Sequence, residues 1–532
     1  MNYLDLPIRE IHAALVEKKV TPLELTQEAL RRAKESKDNA FETLLEDEAI
    51  AFAKTLTEPE VDNLLWGIPY CAKDNFSTKG IETTASSNVL SGYVPLFDAT
   101  VVTKLKEKKC VLIGKTTLDE LAMGGTGTTG HKGITFNPYD PSHTHLVGGS
   151  SCGSAAVTAA GIVPFALGSD TGDSVRKPAS YAGLVGMKPT WGRISRFGLF
   201  PFAPSLDHVG FFTRSVEDNA IVLEALSGRD LHDATSSERP VDDYVSNLNA
   251  GIKGKRIAVI SEIFDSVKDE TVRRSFEKSL RALKEAGAVV DFVDFGRAEL
   301  EAIYASYMVI SCAEATSNDA NLDGIKFGPF RGGKTYQEVM SNARTQGFSE
   351  LIKRRFVIGS FALMRENQDV LFLRAQKARA KIVRRTNEIL KDYDAILALA
   401  APKEAPLING MSDKLSDEYL IADNHLAIGN FAGLPSITLP LTFVRDLPVG
   451  INFTGRAFEE KELLQISEAF ESISGLVAEV DDTAVGLVVL GIVEQELEGR
   501  IGVLPVAVAS DYIDVLVAIL VGNEHIVRHE HA

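Results

Sequence analysis

Cysteine is scarce in this 532-residue chain, and the four present, Cys71, Cys110, Cys152 and Cys312, form neither a C-x-x-C pair nor a dense framework. That spacing excludes a disulfide scaffold and a zinc ribbon, and each cysteine reads as a small buried hydrophobe. The histidines make no H-E-x-x-H or other ligand spacing, so no metal is expected in this chain. Positive charge is also short. With 56 Lys and Arg against 73 Asp and Glu, the formal net charge is -17, which repels polyanions and argues against a stand-alone nucleic-acid binder. The opening MNYLDLPIREIH has no basic stretch followed by an apolar core, so no signal peptide is expected and the cytoplasm is the default. No internal repeat or low-complexity linker interrupts the chain.

What is present is ordinary for a chain that buries a large core, with 45% hydrophobic and 24% charged residues. Thr21-Pro22-Leu23-Glu24 predicts a helix start, with a threonine cap, proline at the first helical position and glutamate closing a capping box. KRIAVI from Lys255 predicts a buried strand. Val272, Phe276, Leu280 and Leu283 then share one helical face before Gly287, and AVVDFVDF predicts the next strand. A charged helix is expected from Asn367 to about Lys391, with DAILALAAP, SITLPLTF and VGINFTGR as later strands. This alternation predicts an α/β fold, a single large domain over 1–478 with a mixed central sheet covered by helices. From about Val480 the chain turns valine-rich and loses lysine, so 479–532 is set apart as an unassigned tail. Its runs TAVGLVVLGIV and VLPVAVASDYIDVLVAILVG are poor membrane spans. The first is too short and the second carries Asp511 and Asp514.

The most informative stretch is GGSSCGSAAVTAAGIVPFALGSDTGDSVRKPASYAGLVGMKPT, from Gly148 to Thr190. Glycines beside serines let backbone amides approach a ligand closely, as a phosphate cradle or an oxyanion hole requires. No G-x-x-x-x-G-K-[ST] run lies within the stretch, which disfavours the phosphate reading. Two serine-bearing clusters flanking a helix-like AAVTAAG segment are more than one structural turn needs. A Ser-His-Asp arrangement would have to use His145 or His208 as base and is not expected.

Along its whole length this stretch resembles the signature sequence of the amidase signature family. Upstream, Gly67-Ile68-Pro69 leads to Lys73-Asp74-Asn75 as in the family's lysine segment. The resemblance implies Ser174 as nucleophile, Ser150 as proton relay and Lys73 as base, with the amides of Thr171, Gly172, Asp173 and Ser174 as the oxyanion hole. The chemistry asks for those types, since a serine hydroxyl needs a base and a lysine serves only where burial leaves its amine neutral. Asp173 departs from the usual glycine. Its N–H survives and Asp tolerates a left-handed backbone, while its carboxylate adds negative charge near the developing oxyanion unless it points away, for instance to Arg176. Cys152 also replaces a usual glycine and reads as packing.

The runs GKTTLDELAMGGTGTTG, RISRFGLFPFAPSLDHVGFFTR and NFAGLPSITLPL resemble one branch of that family, the glutaminase subunits of tRNA-dependent amidotransferases. This implies glutamine as substrate, Arg355 for its carboxylate and Asp423 for its ammonium, a pairing that a zwitterion requires. It also implies a partner subunit that binds tRNA and uses ATP and Mg, a small bridging subunit, and contact with tRNA only through the complex. No cofactor is expected in this chain. The alternatives are a free-standing amidase acting on other carboxamides and a catalytically degenerate scaffold.

Overall fold

The computed structural model describes residues 2–409, 423–480 and 485–489. Eleven strands form one mixed sheet. In chain order they are β1 (Phe41–Leu44), β2 (Pro69–Lys73), β3 (Val111–Thr116), β4 (Phe165–Asp170), β5 (Val185–Lys188), β6 (His208–Thr213), β7 (Arg256–Ile260), β8 (Val289–Val293), β9 (Ala395–Leu399), β10 (Ser436–Val444) and β11 (Leu447–Gly455). Across the sheet they run β1-β3-β2-β4-β6-β5-β10-β11-β9-β7-β8. The central strands are buried on both faces, and β2, β4, β5, β6, β9 and β11 have no residue outside the buried class. Such strands read as continuous apolar runs rather than alternating ones, as helices on both faces require.

The expected α/β class holds, and the strands foreseen at 255–260, 288–295, 394–402, 436–443 and 449–456 all form. Thr21 caps the helix Pro22–Glu35 and closes the capping box with Glu24. The helix Glu270–Glu285 buries Val272, Phe276, Leu280 and Leu283 on one face. One helix differs from expectation at its start. Residues Asp369–Leu373 wind as a π-turn before the α-helix Arg374–Asp392 begins, and only Leu371 of that turn is buried. Two cores flank the sheet. One gathers Ile68, Val157, Phe211 and Phe453, and the other is built on the helices Arg297–Asn318 and Glu350–Leu363 with Ile303, Ile310, Ile352 and Phe356.

β2 and β4 are parallel neighbours, with Tyr70 opposite Phe165 and Ala72 opposite Leu167. Their carboxyl ends, Lys73 and Asp170, therefore open side by side, the place where α/β sheets present ligand-binding loops. Of the valine-rich end, Leu476–Val480 and Val485–Val489 pair as a small antiparallel sheet, and the apolar run from Val503 lies outside the described residues. No helix among the described residues is long and apolar enough to cross a membrane.

Candidate active site

Lys73 ends β2 with no solvent exposure, and its Nζ lies 2.8 Å from Ser150 Oγ, 2.9 Å from Ser169 Oγ and 3.0 Å from Ser151 Oγ. No carboxylate pairs with it among the described residues. The adjacent Asp74 turns instead to Lys115, 3.0 Å away, and to the N–H and hydroxyl of Thr84. Burial pushes the Lys73 ammonium down to about 7, outweighing the opposing field of Asp119, Asp170 and Asp207.

The three hydroxyls around Lys73 are not equivalent. Ser151 donates its proton to the Ser169 carbonyl at 3.1 Å, and Ser169 accepts from Asn75 Nδ2 at 3.0 Å. Ser150 Oγ alone has no second partner among the described residues, so its proton and a lone pair stay available for transfer. Its backbone is braced by Asp119, whose N–H donates to the Ser150 carbonyl at 3.1 Å. The Asp119 carboxylate gathers the N–H groups of Thr126, Gly127, Thr128 and Thr129. A Cβ on Gly149 would sit 2.0 Å from Asp119 Oδ2, which is why that position is glycine. The peptide between Gly149 and Ser150 is cis.

The second cluster follows β4. Ser174 is 3% exposed, and its carbonyl accepts the Ser151 N–H at 3.2 Å, which ties the two clusters together. The N–H groups of Gly172, Asp173 and Ser174 have no acceptor among the described residues, leaving three adjacent donors. Thr171 is turned by its hydroxyl, which donates to Asp207 Oδ1 at 2.7 Å. Tyr307, from the helix Arg297–Asn318, packs against this loop. A Cβ on Gly172 would come within 2.9 Å of its ring, so any larger residue there would have to displace Tyr307.

The Asp173 backbone is not left-handed, so glycine is not needed there for its φ. Nor does Arg176 receive its carboxylate. That guanidinium is committed to Asp170 through Nε at 3.1 Å and Nη2 at 2.9 Å, and to the Gly172 carbonyl and Asn430. Although burial works against it, Arg176 holds the Asp170 carboxyl well below its usual range. Burial pushes the Asp173 carboxyl up to about 6, with Lys177 and Arg176 opposing and Asp170 and Asp423 reinforcing. Cys152 is 1% exposed, and burial pushes its thiol up to about 12, so it packs as a neutral group.

Arg355 and Asp423 are in different states. Arg355 has no ion pair among the described residues. Its Nε is buried without a partner, its Nη1 faces Met308 Sδ at 3.7 Å, and its guanidinium lies 5.6 Å from the Phe202 ring centroid. Asp423 is already paired, 2.9 Å from Lys177 Nζ.

Two further motifs fail on geometry. Gly149-Ser150-Ser151-Cys152-Gly153 does spell G-x-S-x-G, but the central Ser151 is bound to Ser169. His145 pairs with Asp140 at 2.8 Å and His208 with the Leu206 carbonyl at 2.6 Å, so neither attends a site serine. Gly328 to Thr335 spells G-x-x-x-x-G-K-T outside the serine stretch. No strand precedes it, and the Glu338 carboxylate already holds the Lys334 and Thr335 N–H groups where a phosphate would sit.

Sequence reasoning leaves Ser151, Ser169, Asn75, Asp119, Tyr307 and Lys177 unassigned. Ser169 carries a signal, since a polar residue at the carboxyl end of a buried parallel strand faces the ligand crevice. Tyr307 carries none, being one aromatic residue on a largely apolar helix.

A family profile described as Amidase matches residues 24–464. The chain is 40% identical over 479 residues to a glutamyl-tRNA(Gln) amidotransferase subunit of Listeria innocua, covering 88% of this chain and 98% of that one. The solved structure of the corresponding glutamyl-tRNA(Gln) amidotransferase subunit from Thermotoga maritima superposes with a TM-score of 0.74 at 38% identity, over 89% of this chain and 95% of that one. The peptide amidase of Stenotrophomonas maltophilia superposes with a TM-score of 0.72 at 28% identity, covering 88% and 97%.

Proposed function

The chain belongs to the amidase family, and from that premise we propose that it is the glutamine-hydrolysing subunit of a cytoplasmic tRNA-dependent amidotransferase. It supplies ammonia for the amidation of misacylated Glu-tRNA(Gln), or Asp-tRNA(Asn), within a heterotrimer. The observation that carries the reading is the buried Lys73 amine on the otherwise unpartnered Ser150 hydroxyl. Support for the substrate comes from Arg355, a buried arginine with no ion pair among the described residues, and from the amidotransferase subunits that the chain resembles.

In this mechanism Ser174 Oγ attacks the carboxamide carbon, passing its proton to Ser150 Oγ as Ser150 gives its own to Lys73 Nζ. The oxyanion forms against the N–H groups of Thr171, Gly172, Asp173 and Ser174. The proton then returns through Ser150 to the amide nitrogen, which leaves as ammonia, and Ser174 is left acylated. Water, deprotonated by the same relay, releases glutamate. A partner subunit with ATP and Mg would activate the tRNA-borne carboxylate, and a small bridging subunit would join the two. The -17 charge fits that division, since the tRNA would be held elsewhere.

The test is ammonia release at fixed glutamine with the tRNA-binding subunit, the bridging subunit, ATP and misacylated tRNA added in turn. A low basal rate should rise about tenfold on assembly, a shift of about 1.4 kcal/mol toward the competent site. Full activity from the isolated chain, matched on unrelated amides, would favour a free-standing amidase. A second expectation concerns selectivity. Arg355→Ala should weaken glutamine by about 2–4 kcal/mol, the usual loss for a charge-assisted bond stripped of one partner. Propionamide, which has no carboxylate, should lose far less. Equal losses on both would show that Arg355 does not read the carboxylate.

A further inference from the structure

The short helix Arg176–Tyr181 carries a cation that the proton relay does not use. Lys177 has 6% of its side chain exposed, and its ammonium grips Asp423 twice, at Oδ1 (2.9 Å) and at the main-chain carbonyl (3.0 Å). Its own N–H donates to the Asp173 carbonyl at 2.8 Å, and Asp173 immediately precedes Ser174. One lysine thus joins the loop that carries the nucleophile to an acid 246 residues further along the chain.

Two features make this a brace rather than a competitor for the acid. The ammonium holds a main-chain oxygen as well as the carboxylate, so releasing Asp423 would strand a nearly buried charge. Asp423 Oδ2 has no partner among the described residues, so a second cation can be received there while Lys177 stays in place. The Lys177 charge also opposes the push that Asp423 exerts on the Asp173 carboxyl.

We infer that Lys177 is a positioning residue for substrate selection: by pinning Asp423 to the Ser174 loop it fixes the distance between the acid that receives an α-ammonium and the nucleophile, so that α-amino amides are preferred over amides lacking that group. The inference rests on the reading of Asp423 as the ammonium site.

The experiment compares glutamine with glutaric acid monoamide on the full chain. The monoamide keeps the carboxylate and the carboxamide but has no α-amino group. Any effect of a Lys177 variant on the chemistry itself falls on both substrates, so the ratio of their kcat/KM values isolates recognition of the ammonium. Lys177→Met should lower that ratio about tenfold, through KM for glutamine, and Lys177→Arg should restore part of it. Asp423→Asn should lower the ratio at least as far, and adding Lys177→Met to it should lower it no further. If Asp423→Asn lowers the ratio and Lys177→Met does not, the brace is overturned and the substrate reading stands. If neither lowers it, the reading of Asp423 has failed. A double variant that falls by the product of the single losses would mean Lys177 acts independently of Asp423, which also overturns the inference. Should Lys177→Met not fold, Lys177→Gln takes its place in the same cycle.

Discussion

Ser174→Ala should abolish amide hydrolysis and leave the fold intact. The neighbouring hydroxyls of Ser169 and Thr171 are engaged by Lys73 and Asp207, so the Ser174 hydroxyl is the one left to form the acyl bond, and covalent catalysis ends with it. Loss of a nucleophile from a comparable serine triad costs on the order of 10⁶ in kcat. The structural cost is small, because the Ser174 contact that ties the clusters together runs through its carbonyl to the Ser151 N–H, and alanine keeps that carbonyl. Thermal unfolding should therefore shift by no more than about 1 kcal/mol in stability. A fluorophosphonate probe should label the wild-type chain at Ser174 and leave Ser174→Ala unlabelled. An adduct on Ser150 or Ser151 in the wild type would transfer the nucleophile to the first cluster. A folded wild-type chain that takes no label at all would point to a degenerate scaffold.

The parts of this molecule legible from its residues are those whose physics is local. A threonine, a proline and a glutamate at Thr21, Pro22 and Glu24 specify a helix start because the cap bonds span three residues. The buried strands are legible as short apolar runs bounded by turn residues, and Val272, Phe276, Leu280 and Leu283 as a helical face. The proton relay is legible only through family resemblance, since Ser150 and Lys73 are 77 residues apart and no periodicity relates them. Charge pairing is the least legible. Arg176 is the near neighbour of Asp173, yet it serves Asp170, because the turn after β4 aims the Asp170 side chain back into the helix that Arg176 begins. Lys177 looks like one more cation in RKPAS, and its partner Asp423 is set by tertiary folding alone. The π-turn before Arg374 escapes sequence reasoning because its residues suit a regular helix in composition.

Lys73→Met should be nearly as severe as loss of the nucleophile, and the pH profile of the wild type should show why. Lys73 must be neutral to accept a proton, and burial holds its titration near 7 instead of the usual 10.5. As pH rises through 7 the amine loses its proton, so kcat/KM should climb with unit slope and level off above. A lysine at its ordinary value would keep the rate climbing to about pH 10. Removing the base should cost on the order of 10⁴-fold. Arginine should not rescue, because a guanidinium stays protonated and offers only donors to Ser150. One other group in the loop titrates nearby, the Asp173 carboxyl at about 6, and its ionisation acts in the opposite sense by placing negative charge beside the oxyanion donors. Asp173→Gly separates the two. It should raise the plateau and leave the limb near 7 in place, whereas Lys73→Met removes the limb altogether. Near-normal activity in Lys73→Arg, or a wild-type limb that moves with Asp173→Gly, would assign the base to another residue.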